Sequence, residues 1–330
     1  MLIEEVEAYD CHRHSVSGGN GSNNITIRRS YANPRGYTRC KVSPEYYCGE
    51  FPISFYDSAN RMENVISEET LHGIDVLESA DNSKVFGSIA MYTGYGTNIG
   101  TARGLIVQSR NTTGEFMSNP FFKDVVIFSS EQIGAEVTSV ENARLENITV
   151  INSGNVGIYT GLGSYPIPTT DPRPSTFATN ILSVFNRLEG IKVGPDGIPN
   201  WSFDYVNAYG NGDNFDPDDF SCPNCFSNAT QIDPKMYNPA TGQGCIVYVP
   251  QGSPMKGAGK NGADIGANVL YAYENGTLNA SKKLWNTSVD NGRFIGCGAI
   301  IPGVNDIAGK SCFDVHKRLN VNTNGCQLPY

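Results

Sequence analysis

Between Gly134 and Gly161 the chain alternates short β-branched runs (135–140, 145–150, 157–160) with turns of two to six residues rich in Asn, Ser and Gly. No 3.6-residue period accompanies them, so the pattern predicts strands and not helices. Similar pieces recur along the chain. An Asn opens an apolar run at Asn24, Asn60, Asn82, Asn142, Asn180 and Asn200, and a second run follows at 53–58, 74–79, 97–102, 135–140, 157–162 and 190–195. The second runs start 21, 23, 38, 22 and 33 residues apart. The short spacings suit one coil of a strand solenoid, and the long ones suit a coil carrying an insertion.

A single coil exposes its one row of apolar side chains, so coils must stack and merge their rows into a continuous core. In such a stack each residue sits above its equivalent. A recurrent turn Asn tolerates a left-handed backbone and can bond its amide to the coils on either side. A β-sandwich also shows regular short strands, but it would join them by two-residue Asn-Gly hairpins, which are missing between these runs. The expected fold is therefore all-β, a right-handed parallel β-helix of about eight coils with loop insertions. An irregular, disulfide-bearing C-terminal cap is expected to close it. The expected divisions are coils over 1–206, an acidic turn-rich region over 207–244, a closing β-helix segment over 245–272 and the cap over 273–330.

Insertions interrupt the repeat at 33–52, 104–119 and 164–174. The last two each follow a second strand, so they are expected to emerge on one side and form a groove rim, where solenoids commonly carry function. Tyr92, Tyr95, Tyr159, Tyr165, Tyr205 and Tyr209 sit near strand ends, where a ring can stack on a sugar or glue subunits together.

Charged residues make up only 17% of the chain, Gly is frequent at 36, and the net charge is −9. This acidity, with no Lys/Arg cluster, excludes a nucleic-acid groove. No run of about 18 apolar residues exists to span a membrane. Met1 leads directly into a strand-like segment with no leader. The expectation is that an N-terminal portion has been removed, lies outside this chain, or is replaced by a neighbouring subunit.

Nine cysteines point to an oxidising compartment, secreted or cell-surface, yet cannot all pair within one chain. Cys40 and Cys48 flank a short loop, Cys222 and Cys225 a tighter one, and Cys11 is the candidate odd thiol. Of nine Asn-x-Ser/Thr sequons, those in the tail and at Asn111 are the candidate glycan acceptors, whereas Asn24 and Asn147 serve the strand repeat.

Asp213, Asp216, Asp218 and Asp219 lie in an acidic run that offers oxygen ligands of the kind calcium takes, without EF-hand spacing. The competing reading is a solvated acidic loop pinned by Cys222 and Cys225. No second CxxC or His pair supports zinc. No cofactor other than calcium is expected. Asp10 to His14 and Arg28-Arg29 form a candidate mixed basic cluster one coil apart, and His72 and His316 read as isolated.

The run from Gly252 to Gly259 (GSPMKGAG), followed by Gly262-Ala-Asp-Ile-Gly-Ala267, resembles the closing segment of secreted right-handed parallel β-helix proteins of the pectate-lyase-like superfamily. The resemblance implies a scaffold that binds or processes polysaccharide, as a lyase, hydrolase or epimerase. Lyase chemistry needs calcium or a basic residue to offset a uronate carboxylate, and hydrolysis needs clustered carboxylates. Neither set maps onto this chain, so no catalytic residue is assigned. The alternative is a non-catalytic structural or adhesive subunit that self-associates through its solenoid ends. Locally, the glycines of the closing run are expected to let the chain cross the end of the core, and Asp264 to tie a turn.

Overall fold

Strand follows strand through the chain, and each strand of the two large sheets pairs in parallel with the strand one coil away. A computed structural model describes residues 1–9, 14–19, 21–33, 51–94, 102–109, 116–161, 175–194, 200–217, 224–236, 246–284, 300–301 and 313–314. Eight strands form a front sheet: His14–Gly18, Phe51–Phe55, His72–Leu77, Arg103–Gln108, Ile133–Thr138, Ile158–Gly161, Glu189–Val193 and Asp213–Pro217. A second, bent sheet holds twelve strands and runs from Leu2–Glu4 through Lys84–Met91, Phe121–Phe128, Ala143–Ile151, Ser175–Val184 and Asn200–Tyr209 to Phe226–Thr230. Parallel strands joined by crossovers wind right-handed, and the fold is the right-handed parallel β-helix that the repeat predicts.

The bend has a single backbone cause. Glu5, Arg29, Asn64, Gly87, Asp124, Asn147, Asn180, Tyr205 and Asn228 all have φ between 48° and 58° and occupy equivalent positions on successive coils. One left-handed residue turns the strand through a corner without ending the ladder. Asn is the residue other than Gly that best tolerates this conformation. Its amide also links the coils. Asn180 Nδ2 donates to Asn147 Oδ1 at 3.0 Å, and Asn147 Nδ2 donates to Asp124 Oδ1 at 3.1 Å. A second corner repeats the device at Glu69, Tyr92, Ser129, Asn152 and Phe185, and a third at Asn24, Ala59, Asn82, Asn119 and Asn142. Asn24 and Asn147 thus serve the repeat, as their spacing predicts.

Inside, like stacks on like. Ile53, Ile74, Leu105, Ala135, Ile158 and Ile191 form one column on the front sheet, each fully buried. Ile27, Met62, Val85, Phe122, Leu145, Ala178 and Phe203 form the facing column of the bent sheet. Continuous apolar burial of this kind is the main stabilising term.

Two expectations shift. The rung that follows His72–Leu77 lies at Arg103–Gln108, so the start of the predicted 104–119 insertion is itself part of the front sheet. Residues 97–101 of the expected 97–102 strand lie outside the described residues. The closing segment does not cross the end of the core. It runs back along the side of the stack, from Lys260, whose N–H donates to Asn180 Oδ1 at 2.8 Å, to Tyr273, whose N–H donates to Asn64 Oδ1 at 2.7 Å. Side chains Val247, Val249, Met255, Ile265 and Val269 cover the outward apolar face of the bent sheet at Ile89, Val126, Phe128, Ile151 and Leu182. The physical reason is that this outer face is as apolar as the core and needs its own cover. Asp264 does tie a turn, accepting from Gly257 N–H at 2.9 Å. Strands Asp213–Pro217 and Phe226–Thr230 continue both ladders past residue 206. The cap cysteines Cys297, Cys312 and Cys326 lie outside the described residues.

Candidate functional site: the outward face of the front sheet

The front sheet turns one row inward and displays the other. Ser17, Ser54, Asp75, Ile106, Glu136, Tyr159, Lys192 and Asp216 occupy one outward column in register. Beside it a glycine column, Gly73, Gly104, Gly134, Gly157 and Gly190, lets successive coils approach closely. A Cβ at Gly134 would lie 2.5 Å from Gly157 O and 2.3 Å from Val150 Cγ1.

The face has two halves. In the first, His14, Phe51 and His72 stack, with ring centroids 5.5 Å apart at each step, and Tyr56 meets Phe51 edge-on. Phe51 and Asp75 are buried there, with Ile106 and Leu77 packed alongside. From Phe51 to Ile106 this half is closed, whereas His14 and Ser17 at its outer end are exposed. His72, which reads as isolated in sequence, is part of its ring stack. The second half, from Arg103 onward, is partly open. Arg103 Nε donates to Glu136 Oε2 on the next coil. Lys192 Nζ donates to Glu189 Oε1 and to Asp216 Oδ2, each at 3.4 Å.

Between these ion pairs lies Tyr159. A Cβ added at Gly161 would come within 2.7 Å of the Tyr159 hydroxyl, and one at Gly194 within 2.8 Å. Gly161 is two residues further along the same strand, and Gly194 is its equivalent on the next coil. The phenol therefore lies down across a floor that two glycines keep clear. The result is a partly buried ring flanked by the buried Glu136 one coil before and by Lys192 one coil after. A flat aromatic surface bordered by hydrogen-bonding groups suits a sugar ring, whose C–H face stacks while its hydroxyls bond at the edge.

The acidic candidates separate. Asp213 is exposed at the end strand of the front sheet, and Asp216 pairs with Lys192. Asp218 and Asp219 lie outside the described residues, and no group of three or more metal-binding side chains occurs among the described residues. Cys225 is buried and disulfide-bonded. Arg28 and Arg29 do not join His14. They lie at a corner of the bent sheet, where Arg28 pairs with Glu63 at 2.7 Å and Arg29 with Glu5 at 3.1 Å. Asp10 to Arg13, Tyr95, Tyr165 and His316 lie outside the described residues, as do the 164–174 insertion, 34–50 of the first insertion and 110–115 of the second. Among the described residues no helix is long and apolar enough to cross a membrane.

Tyr159 is legible in sequence, but its flanking residues Arg103, Glu136 and Lys192 are not. Aligning the second strands by alternation would place Glu136, Tyr159 and Lys192 in one outward row.

No protein-family model matches this chain, and no curated protein matches it in sequence. Among solved structures it is similar to the A-module of the Azotobacter vinelandii mannuronan C-5 epimerase AlgE4, with TM-score 0.43 and 15% identity over 61% of this chain and 49% of that one. It is also similar to the periplasmic alginate epimerase AlgG, with TM-score 0.39 and 11% identity over 70% of this chain and 50% of that one. The chain spans about half the length of either structure.

Proposed function

We propose that this protein is an extracellular polysaccharide-binding β-helix whose glycan lies along the open half of the front sheet, across the coils. The observation that carries this reading is the Tyr159 ring laid over Gly161 and Gly194 between two ion-paired coils. Neighbouring strands stand about 4.8 Å apart, close to the length of a pyranose unit, so successive coils can meet successive sugars. Polysaccharide processing at this face is part of the same proposal, with no catalytic residue assigned to it. Affinity electrophoresis against a panel of soluble polysaccharides tests the reading. Retardation by at least one polymer is expected, and free migration through every gel would refute it.

A second reading, self-association through a solenoid end, is favoured by one observation. Leu2 is half exposed on the outermost described strand of the bent sheet, which pairs on one side with Thr26–Arg28. An exposed parallel edge recruits another strand. Sedimentation velocity across a concentration series distinguishes the two. Rods that lengthen with concentration support self-association, and a constant monomer excludes it.

A further inference from the structure

The charges along the open half of the face define the kind of glycan it can take. Four carboxylates (Glu136, Glu189, Asp213 and Asp216) stand on its strands beside two cations, Arg103 and Lys192. Both cations are already engaged. Arg103 is held by Glu136, and Lys192 lies between Glu189 and Asp216. Asp213, the exposed member, adds a negative charge at the outer end. A polyuronate carries a carboxylate on every sugar and would meet like charges on three strands of the open half. To use either cation on these strands it would also have to break an existing ion pair. That leaves only the exposed Arg187, just before Glu189–Val193, as an unpaired cation among the described residues near this end of the face. The net charge of −9 adds long-range repulsion to this local term. A neutral glycan meets neither cost. Its hydroxyls can donate to carboxylate oxygens that are already partly neutralised, while its ring stacks on Tyr159.

Resting on the polysaccharide-binding reading above, we infer that this face selects a neutral glycan and discriminates against polyuronates. The carboxylates have two roles in this selection. They accept hydrogen bonds from neutral sugars, and they repel acidic ones.

Affinity electrophoresis at low ionic strength tests the inference, using neutral polymers (β-glucan, galactomannan, xylan) and polyuronates (alginate, polygalacturonate), the latter with and without calcium. The expected result is retardation by a neutral polymer and at least tenfold weaker retardation by either polyuronate. Asp213→Lys is expected to raise polyuronate retardation several-fold, because it removes the exposed negative end. Polyuronate binding as tight as neutral binding, with or without calcium, would overturn the inference while leaving the polysaccharide-binding reading intact. Binding to no polymer would overturn that reading and the inference with it.

Discussion

The Tyr273 hydroxyl donates a hydrogen bond to the Asp124 carboxylate, joining the closing segment to the corner ladder of the fifth coil. Asp124 also accepts from Asn147 Nδ2 at 3.1 Å and from Asn268 N–H at 3.2 Å. The Tyr273 ring stacks on Phe86 at 5.1 Å. The carboxylate is wholly enclosed, and burial pushes its pKa up against the lowering effect of its three donors. Tyr273 is pushed up as well, by burial and by Asp124.

This arrangement sets a pH dependence. A carboxyl whose folded pKa lies above its unfolded value binds its proton more tightly in the folded state. Its contribution is full below the unfolded pKa, near 4, and is lost as pH rises through the raised folded value. Urea midpoints measured between pH 4 and 8 should therefore fall with rising pH by more in the wild type than in Asp124→Asn. A steeper fall in the variant would contradict the assignment.

Asn147 combines a left-handed backbone with two links of the corner ladder. Asn147→Ala loses the links and leaves at positive φ a residue without the polar side chain that lets Asn tolerate that conformation, for an expected cost of about 2–4 kcal/mol. Asn147→Gly loses only the links and should cost less. Denaturant unfolding of the two variants checks the order, and a larger loss for the glycine variant would show that backbone conformation is not what Asn supplies.

Gly104 and Gly134 test the close approach of coils. A Cβ at Gly104 would fall 2.1 Å from Ile127 Cγ2 and 2.7 Å from Gly134 O. The Ile127 contact is with a side chain, but the Gly134 O contact is with backbone and cannot be relieved by rotating a side chain. Gly104→Ala is expected to lower the melting temperature by many degrees or to prevent folding, whereas Ala at Gly19, which has open space around it, should have little effect. Equal melting temperatures would refute the close-packed column.

Calcium at the acidic run can be checked by melting the protein with millimolar calcium or with a chelator. Asp216 is committed to Lys192, so the expected shift is below about 1 °C. A shift of several degrees would mean that Asp218 and Asp219 complete a site with Asp213.

The fold was legible because the repeat is written in residue types. Asn24, Asn82 and Asn142 mark one corner and Asn147 and Asn180 another, since few side chains tolerate a left-handed backbone and bond to their neighbours. Where Tyr205, Arg29 or Glu5 fills a corner, that signal is lost, because stacking neighbours hold the conformation in place of the residue's own preference. The side strap was not legible. Its glycines say that the chain turns closely but not against which surface, and the apolar outer face at Ile89, Val126 and Leu182 became visible only through the stacking register. One local signal did exist. Asn275-Gly276 joins the antiparallel strands Tyr271–Glu274 and Thr277–Lys283, with φ of 53° and 79°, as an Asn-Gly hairpin turn should. In the site, Tyr159 was visible as a strand-end aromatic. Its orientation was not, because it depends on Gly194, a coil away.

The most direct test compares wild type with Tyr159→Ala in affinity gels containing a polysaccharide that retards the wild type, with a thermal melt to confirm folding. The variant is expected to melt within a few degrees of the wild type and to lose at least tenfold in affinity, about 1.4 kcal/mol or more. Unchanged retardation by a folded variant would contradict the placement of the glycan on the front sheet.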